Sequence, residues 1–178
     1  MSKLNHEKIE QFKKGELRLA DACDINAGQT AALLATVFTL FRNGRYKDAR
    51  DILEGLAVLN QDDAYIHGLL GAVYQRLSEF DRAIEHYDIA LRLFPQDIHS
   101  LANKGEIYLK LGRLDEAFTN LKRAIELDTN KKHPVANRAR ILIALTQEAL
   151  KSVSEQGMQE IVRAKILLNQ QAAQLAYN

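Results

Sequence analysis

AYIHGLLGAVYQRLSEFDRAIEHYDIALRLFPQD, residues Ala64–Asp97, resembles what lies 34 residues to either side of it. With Ala64 as position 1, small residues stand at positions 8, 20 and 27: Gly71, Ala83 and Ala90. Large ones stand at positions 7, 11, 17 and 24 (Leu70, Tyr74, Phe80, Tyr87), and Pro95 closes the unit at position 32. Two helices approach closely only where one presents Gly or Ala and the other a large side chain. The alternation therefore predicts two antiparallel helices per unit, here termed A and B.

This period and this alternation resemble the tetratricopeptide repeat. The preceding unit, Thr30–Asp63, has Val37 at position 8, Leu40 at position 11 and Asn43-Gly44 where the chain must reverse. Its helix B carries Tyr46, Ala49 and Leu53, with Leu56 at position 27 and Ala57 beside it. The following unit, Ile98–Lys131, repeats the pattern through Gly105, Tyr108, Leu114, Ala117, Leu121 and Ala124, with Gly112 at the internal turn. Asp62, Asp63 and Asp97 precede A helices and are expected to cap them; Ser78 is expected to open helix B of the middle repeat.

The flanks read less regularly. Residues 4–20 suggest a helix with Ile9, Phe12 and Leu19 on one face, followed by a connector, DINAGQ, at Asp24–Gln29. Pro134 suits a helix start, and residues 134–151 are expected to form a capping helix, interrupted at Ser152–Gly157. A further helix is expected over 158–177. The fold class is all-α: an α-solenoid of three tetratricopeptide repeats with an N-terminal helix and C-terminal capping helices. The expected divisions are 1–29, 30–131 (repeats 30–63, 64–97 and 98–131) and 132–178.

Composition narrows the function. Of 178 residues, 47% are hydrophobic and 26% charged, enough for a sizeable core, and the formal net charge of +1 offers no basic field for nucleic acid. One cysteine, Cys23, excludes an intrachain disulfide and fits a reducing compartment. The most apolar run, TAALLATVFTLF at Thr30–Phe41, is too short to span a bilayer, and charges occupy the start where a signal peptide needs an apolar core. The expectation is a soluble cytoplasmic protein without membrane insertion.

Catalytic motifs do not emerge. There is no Gly-rich phosphate loop, HExxH or CxxC, and the five histidines (His6, His67, His86, His99, His133) lack metal-ligand spacing. The chain is expected to be non-enzymatic and to use no cofactor or metal. What remains is a surface. In repeats of this kind positions 2, 5, 9, 12 and 13 of each A helix face a concave groove. Here they include Leu34, Phe38, Phe41 and Arg42; Tyr65, Gly68, Ala72, Gln75 and Arg76; then His99, Ala102, Glu106 and Leu109. Apolar pockets beside hydrogen-bonding groups suit an extended peptide. A plainer alternative is that Leu34, Phe38 and Phe41 are core beneath the N-terminal helix. Leu34 and Phe38 stand where carboxylate-clamp repeats need Lys and Asn, which argues against a site for a C-terminal carboxylate.

A finer resemblance lies in Phe41–Leu91. Its marks are Gly44 and Tyr46 at the first turn, Ala49, then Leu53, Leu56, Leu59 and Asp63. Leu70-Gly71-Ala72, Gln75, Phe80, Ala83-Ile84 and Tyr87 continue it. The stretch resembles the class II chaperones of bacterial type III secretion. The resemblance implies a chaperone whose partners are hydrophobic translocator subunits, each held by an extended segment in the groove. Phe38 and Phe41, with Tyr46 at the turn, would be the groove aromatics. It also implies homodimers through the N-terminal region, residues 4–28, and no use of ATP or metal. The alternative is an adaptor or scaffold for a bacterial multiprotein complex, using the convex face or the C-terminal helix.

Overall fold

A computed structural model describes residues 25–156, together with Lys8, Gln11, Lys13 and Lys14 before them and without the side chains of 153–156. Most of the expected N-terminal helix, its dimer contact, Cys23 and the expected helix over 158–177 lie outside the described residues. Among the described residues there are seven helices in succession and no strand: α1 (Ala27–Arg42), α2 (Tyr46–Leu59), α3 (Ala64–Arg76), α4 (Phe80–Leu93), α5 (Ile98–Lys110), α6 (Leu114–Leu127) and α7 (Pro134–Gln156). The chain divides into two compact units, with the break between Pro95 and Gln96. The first therefore holds α1 to α4 and the second α5 to α7.

The 34-residue period sets the helix boundaries. α1, α3 and α5 end at Arg42, Arg76 and Lys110, where a cation complements the helix dipole. α2, α4 and α6 begin at Tyr46, Phe80 and Leu114. Between them lies one turn, made three times. The amide of Arg45 donates to the Leu40 carbonyl, that of Glu79 to Tyr74 and that of Arg113 to Tyr108, at 2.9, 3.0 and 2.9 Å. This is the long bond of a Schellman ending, which needs a left-handed residue just before the donor. Gly44 and Gly112 supply it with φ of 72° and 73°, and Ser78 is forced into it with φ of 62°. Ser78 is thus a turn residue and not the cap the sequence suggested; Glu79 stands at the N-cap of α4, with no side-chain cap bond.

The aspartate caps form as expected. Asp63 accepts from the amides of Tyr65 and Ile66, and Asp97 from those of His99 and Ser100. One period later the position is Lys131, with φ of 55°. There Asp128 takes over, accepting from the amides of Lys132 and His133 and from Nη1 of Arg140. Burial would raise the Asp128 carboxyl, but Arg140 and the two amides outweigh it and hold it below the usual aspartate value.

Two helical ends differ from the sequence reading. The supposed connector Asp24–Gln29 contains the start of α1: Asn26 and Gln29 form a reciprocal capping box, so Ala27 and Gly28 are already helical. At the other end α7 runs unbroken through Ser152 to Gln156, because no residue there prevents helix.

Within each unit small residues admit large ones. A Cβ on Gly71 would lie 2.5 Å from the Tyr87 ring, and one on Gly105 would lie 2.7 Å from Leu121. Tyr87 and Leu121 have no exposed surface. Ala49, Ala83, Ala90, Ala117 and Ala124 are equally enclosed. In α1 the corresponding position is Val37, itself 1% exposed.

Candidate functional site

On α1, Leu34, Phe38 and Phe41 follow one another at helical spacing and share a face. Phe38 is 43% exposed, while Leu34 and Phe41 are half-buried. On α3, Tyr65, Gly68, Ala72 and Arg76 form a matching stripe, with Tyr65 55% exposed. The opposite side of α3 (Ile66, Leu70, Val73 and Tyr74) is buried in the first unit. One amphipathic split therefore serves both packing and presentation.

The two stripes meet at an aromatic–cation cluster. The Arg76 guanidinium sits 5.6 Å from the centre of the Phe41 ring. Tyr46, at the start of α2, meets the same ring edge-on at 5.2 Å between centroids. Gly68 and Ala72 are the small residues of this stripe, and both are half-buried. Gln75 turns inward in part: its Oε1 accepts from the Tyr87 hydroxyl at 2.9 Å, which leaves its amide N–H groups as the donors it can offer a ligand. Arg42 is exposed at the end of α1.

In the second unit the outcome differs. His99 is exposed and meets His133 edge-on at 5.2 Å, and Leu109 is half-buried. Ala102 and Glu106, expected in the groove, are interior residues at 0% and 6% exposure. The cause is α7, which packs on this helix. Its Arg138 places Nε 2.6 Å from Glu106 Oε1 and donates from Nη2 to Asn103 Oδ1 at 2.8 Å. Glu106 is thus engaged in an intramolecular ion pair.

Sequence reading missed two features. One is Arg138, whose partners lie more than thirty residues away. The other is a histidine pair, His67 and His86, whose Nδ1 atoms are 3.1 Å apart. Their spacing of 19 is not a ligand motif, and only the antiparallel pairing of α3 with α4 joins them. Among the described residues no three His, Cys, Asp or Glu side chains gather in a way that would hold a metal ion. No helix among them is long and apolar enough to cross a membrane. The site offers aromatic and aliphatic surface and a guanidinium, a chemistry of binding.

Comparison with known proteins agrees with this geometry. Family models of the tetratricopeptide repeat match residues 10–73, 62–130 and 102–174. The chain is a tetratricopeptide repeat protein. It is also similar to the Low calcium response locus protein H of Yersinia pestis, with 30% identity over 105 residues; the match takes in 55% of this chain and 62% of that relative. Among solved structures, the repeat protein resembles a type III secretion system complex from Aeromonas hydrophila. The TM-score is 0.70 at 26% identity, covering 85% of this chain and 99% of the other. It further resembles the Yersinia enterocolitica type III secretion chaperone SycD, solved with a peptide of the translocator YopD. There the TM-score is 0.64 at 27% identity, over 72% of this chain and 98% of SycD.

Proposed function

We propose that this repeat protein is a non-enzymatic type III secretion chaperone. It acts in the cytoplasm and holds an extended segment of a hydrophobic translocator. The observation that carries this reading is the exposed apolar face of α1 and α3, closed at one end by Arg76 over Phe41. Its similarity to SycD, a chaperone crystallised with a translocator peptide, supports the choice of client. Client side chains would pack on Gly68, Ala72, Phe38 and Phe41. Arg76 and the Gln75 amide would bond to the client backbone. Removing apolar side chains of the translocator from water shields it from aggregation, and requires neither a cofactor nor ATP.

The double change Phe38→Glu, Phe41→Glu tests the reading. Phe38 is 43% exposed and Phe41 half-buried, neither being in the core, and the helical circular dichroism is expected to survive. Affinity for a labelled N-terminal segment of a translocator from the same cell is expected to fall by more than about thirtyfold, the loss of one aromatic hot spot. Unchanged affinity in the folded variant would remove the face from the site.

A further inference from the structure

We propose that His67 and His86 form a proton-sensitive latch that ties α3 to α4 through a single shared proton, and that acid unfastens it.

The geometry dictates which atom carries which proton. His67 is 7% exposed, and its Nε2 lies 3.1 Å from the backbone carbonyl oxygen of Gln61. A carbonyl only accepts, so Nε2 of His67 carries a proton. A neutral imidazole with its proton on Nε2 has a bare Nδ1. That Nδ1 faces Nδ1 of His86 at 3.1 Å, so His86 must be the donor. His86 stacks in turn on Tyr74, at 5.4 Å and 11° between ring planes, and the Tyr74 hydroxyl donates to Glu54 on α2. A relay thus runs from the α2–α3 connector through both helices to α2.

Such a relay tolerates one added proton and not two. The first can settle on Nε2 of His86 and leave the Nδ1–Nδ1 bond intact. A second must go to Nδ1 of His67, which sets two N–H donors face to face beside two cationic rings. The groups bearing on the pair are mixed. Glu54 on α2 and Glu85 on α4 favour a charged His86; Arg82 on α4, whose guanidinium lies 5.5 Å from the Tyr74 ring, opposes it, as does His67. Arg50 on α2 is engaged near Glu54 and Glu79. Burial is the largest influence on His86 and, with His67 and Arg82, holds it below the ordinary histidine value. α3 is also the helix that presents Tyr65, Gly68, Ala72 and Arg76. On the functional reading above, loosening it would lower the hold on a client.

Two measurements on the full chain test the latch without any client. Nitrogen-15 spectra of the imidazoles at pH 7.5 are expected to show His67 protonated at Nε2 and bare at Nδ1, with His86 protonated at Nδ1. A proton on His67 Nδ1 at that pH overturns the proposal. Hydrogen exchange of α3 and α4 amides, corrected for its intrinsic pH dependence, is compared at pH 7.5 and 4.5; protection is expected to hold down to about 6.5 and to be lost below it, because the pair resists protonation. His67→Gln keeps a donor for the Gln61 carbonyl and an acceptor for His86 but does not titrate, and should flatten that loss. An equal loss in the variant and the parent overturns the latch. If the variant does not fold, the parent's nitrogen spectra decide alone. A translocator peptide is then bound at both pH values. A latch that opens while affinity stays constant leaves the latch standing and separates it from the client-binding face.

Discussion

Ser78 occupies a backbone conformation that its two counterparts fill with glycine. A left-handed residue with a Cβ costs roughly 1–2 kcal/mol, and glycine returns about 0.5–1 kcal/mol of that through the freedom of the unfolded chain. Ser78→Gly is therefore expected to stabilise the protein by about 0.5–1 kcal/mol, read as a higher urea midpoint at unchanged slope. Gly71 behaves in the opposite sense. Its missing Cβ is the space taken by Tyr87, a side chain without exposed surface whose hydroxyl is bonded to Gln75. Gly71→Ala is expected to cost about 1–3 kcal/mol, the usual range for overfilling a packed site. The glycine was legible in the sequence because the small/large pairing is written at a fixed spacing. The strain at Ser78 was not, since serine there reads as a helix cap until the backbone is seen.

Among the elements, α7 does most to change the sequence reading. Its buried face, Ala136, Ala139 and Leu142, packs in the second unit as a capping helix should. Its Arg138 also reaches Glu106 on α5 and engages that carboxylate in an ion pair. Glu106→Ala is expected to destabilise the chain by about 2–3 kcal/mol. That is less than for a wholly enclosed pair, because Arg138 keeps 22% of its side-chain surface in solvent. Replacing both residues by Met should cost less than Glu106→Ala alone, since no charge is then left buried without a partner; chemical denaturation of both variants distinguishes the two. The caps act at the same scale. Asp97→Ala removes the acceptor for two amides of α5 and is expected to cost about 1 kcal/mol. Such caps were plain in the sequence because aspartate before an apolar-periodic run has few other uses. The ion pair was not, because a charge at an exposed register position reads as solvated until the covering helix is placed.

For the whole molecule, pH is the informative variable. His86 is held below its ordinary value by burial, with help from His67 and Arg82. His99, though part of its surface is exposed, is lowered by desolvation of its ring, and by His133 and Arg138, against the pull of Asp97. A histidine that resists protonation when folded binds fewer protons than its unfolded counterpart. Its contribution is intact above the unfolded value near 6.5 and is lost as pH falls from there through the folded value. The melting temperature is thus expected to decline from pH 7.5 toward pH 5, with each unit carrying one of the responsible rings. A flat profile across that interval would contradict both assignments. What the sequence determined by itself is the period: repeat length, helix pairing, turn positions and the residues that face inward. These are local and recurrent, so a spacing rule captures them. Only the tertiary structure decided which polar residues on those helices are spent internally. Ala102 and Glu106 were indistinguishable in the sequence from exposed Tyr65 and Phe38, and the pairing of His67 with His86 was invisible. The reason is physical: burial of a polar side chain depends on which helix covers it, and that is set by packing between segments whose spacing carries no signature.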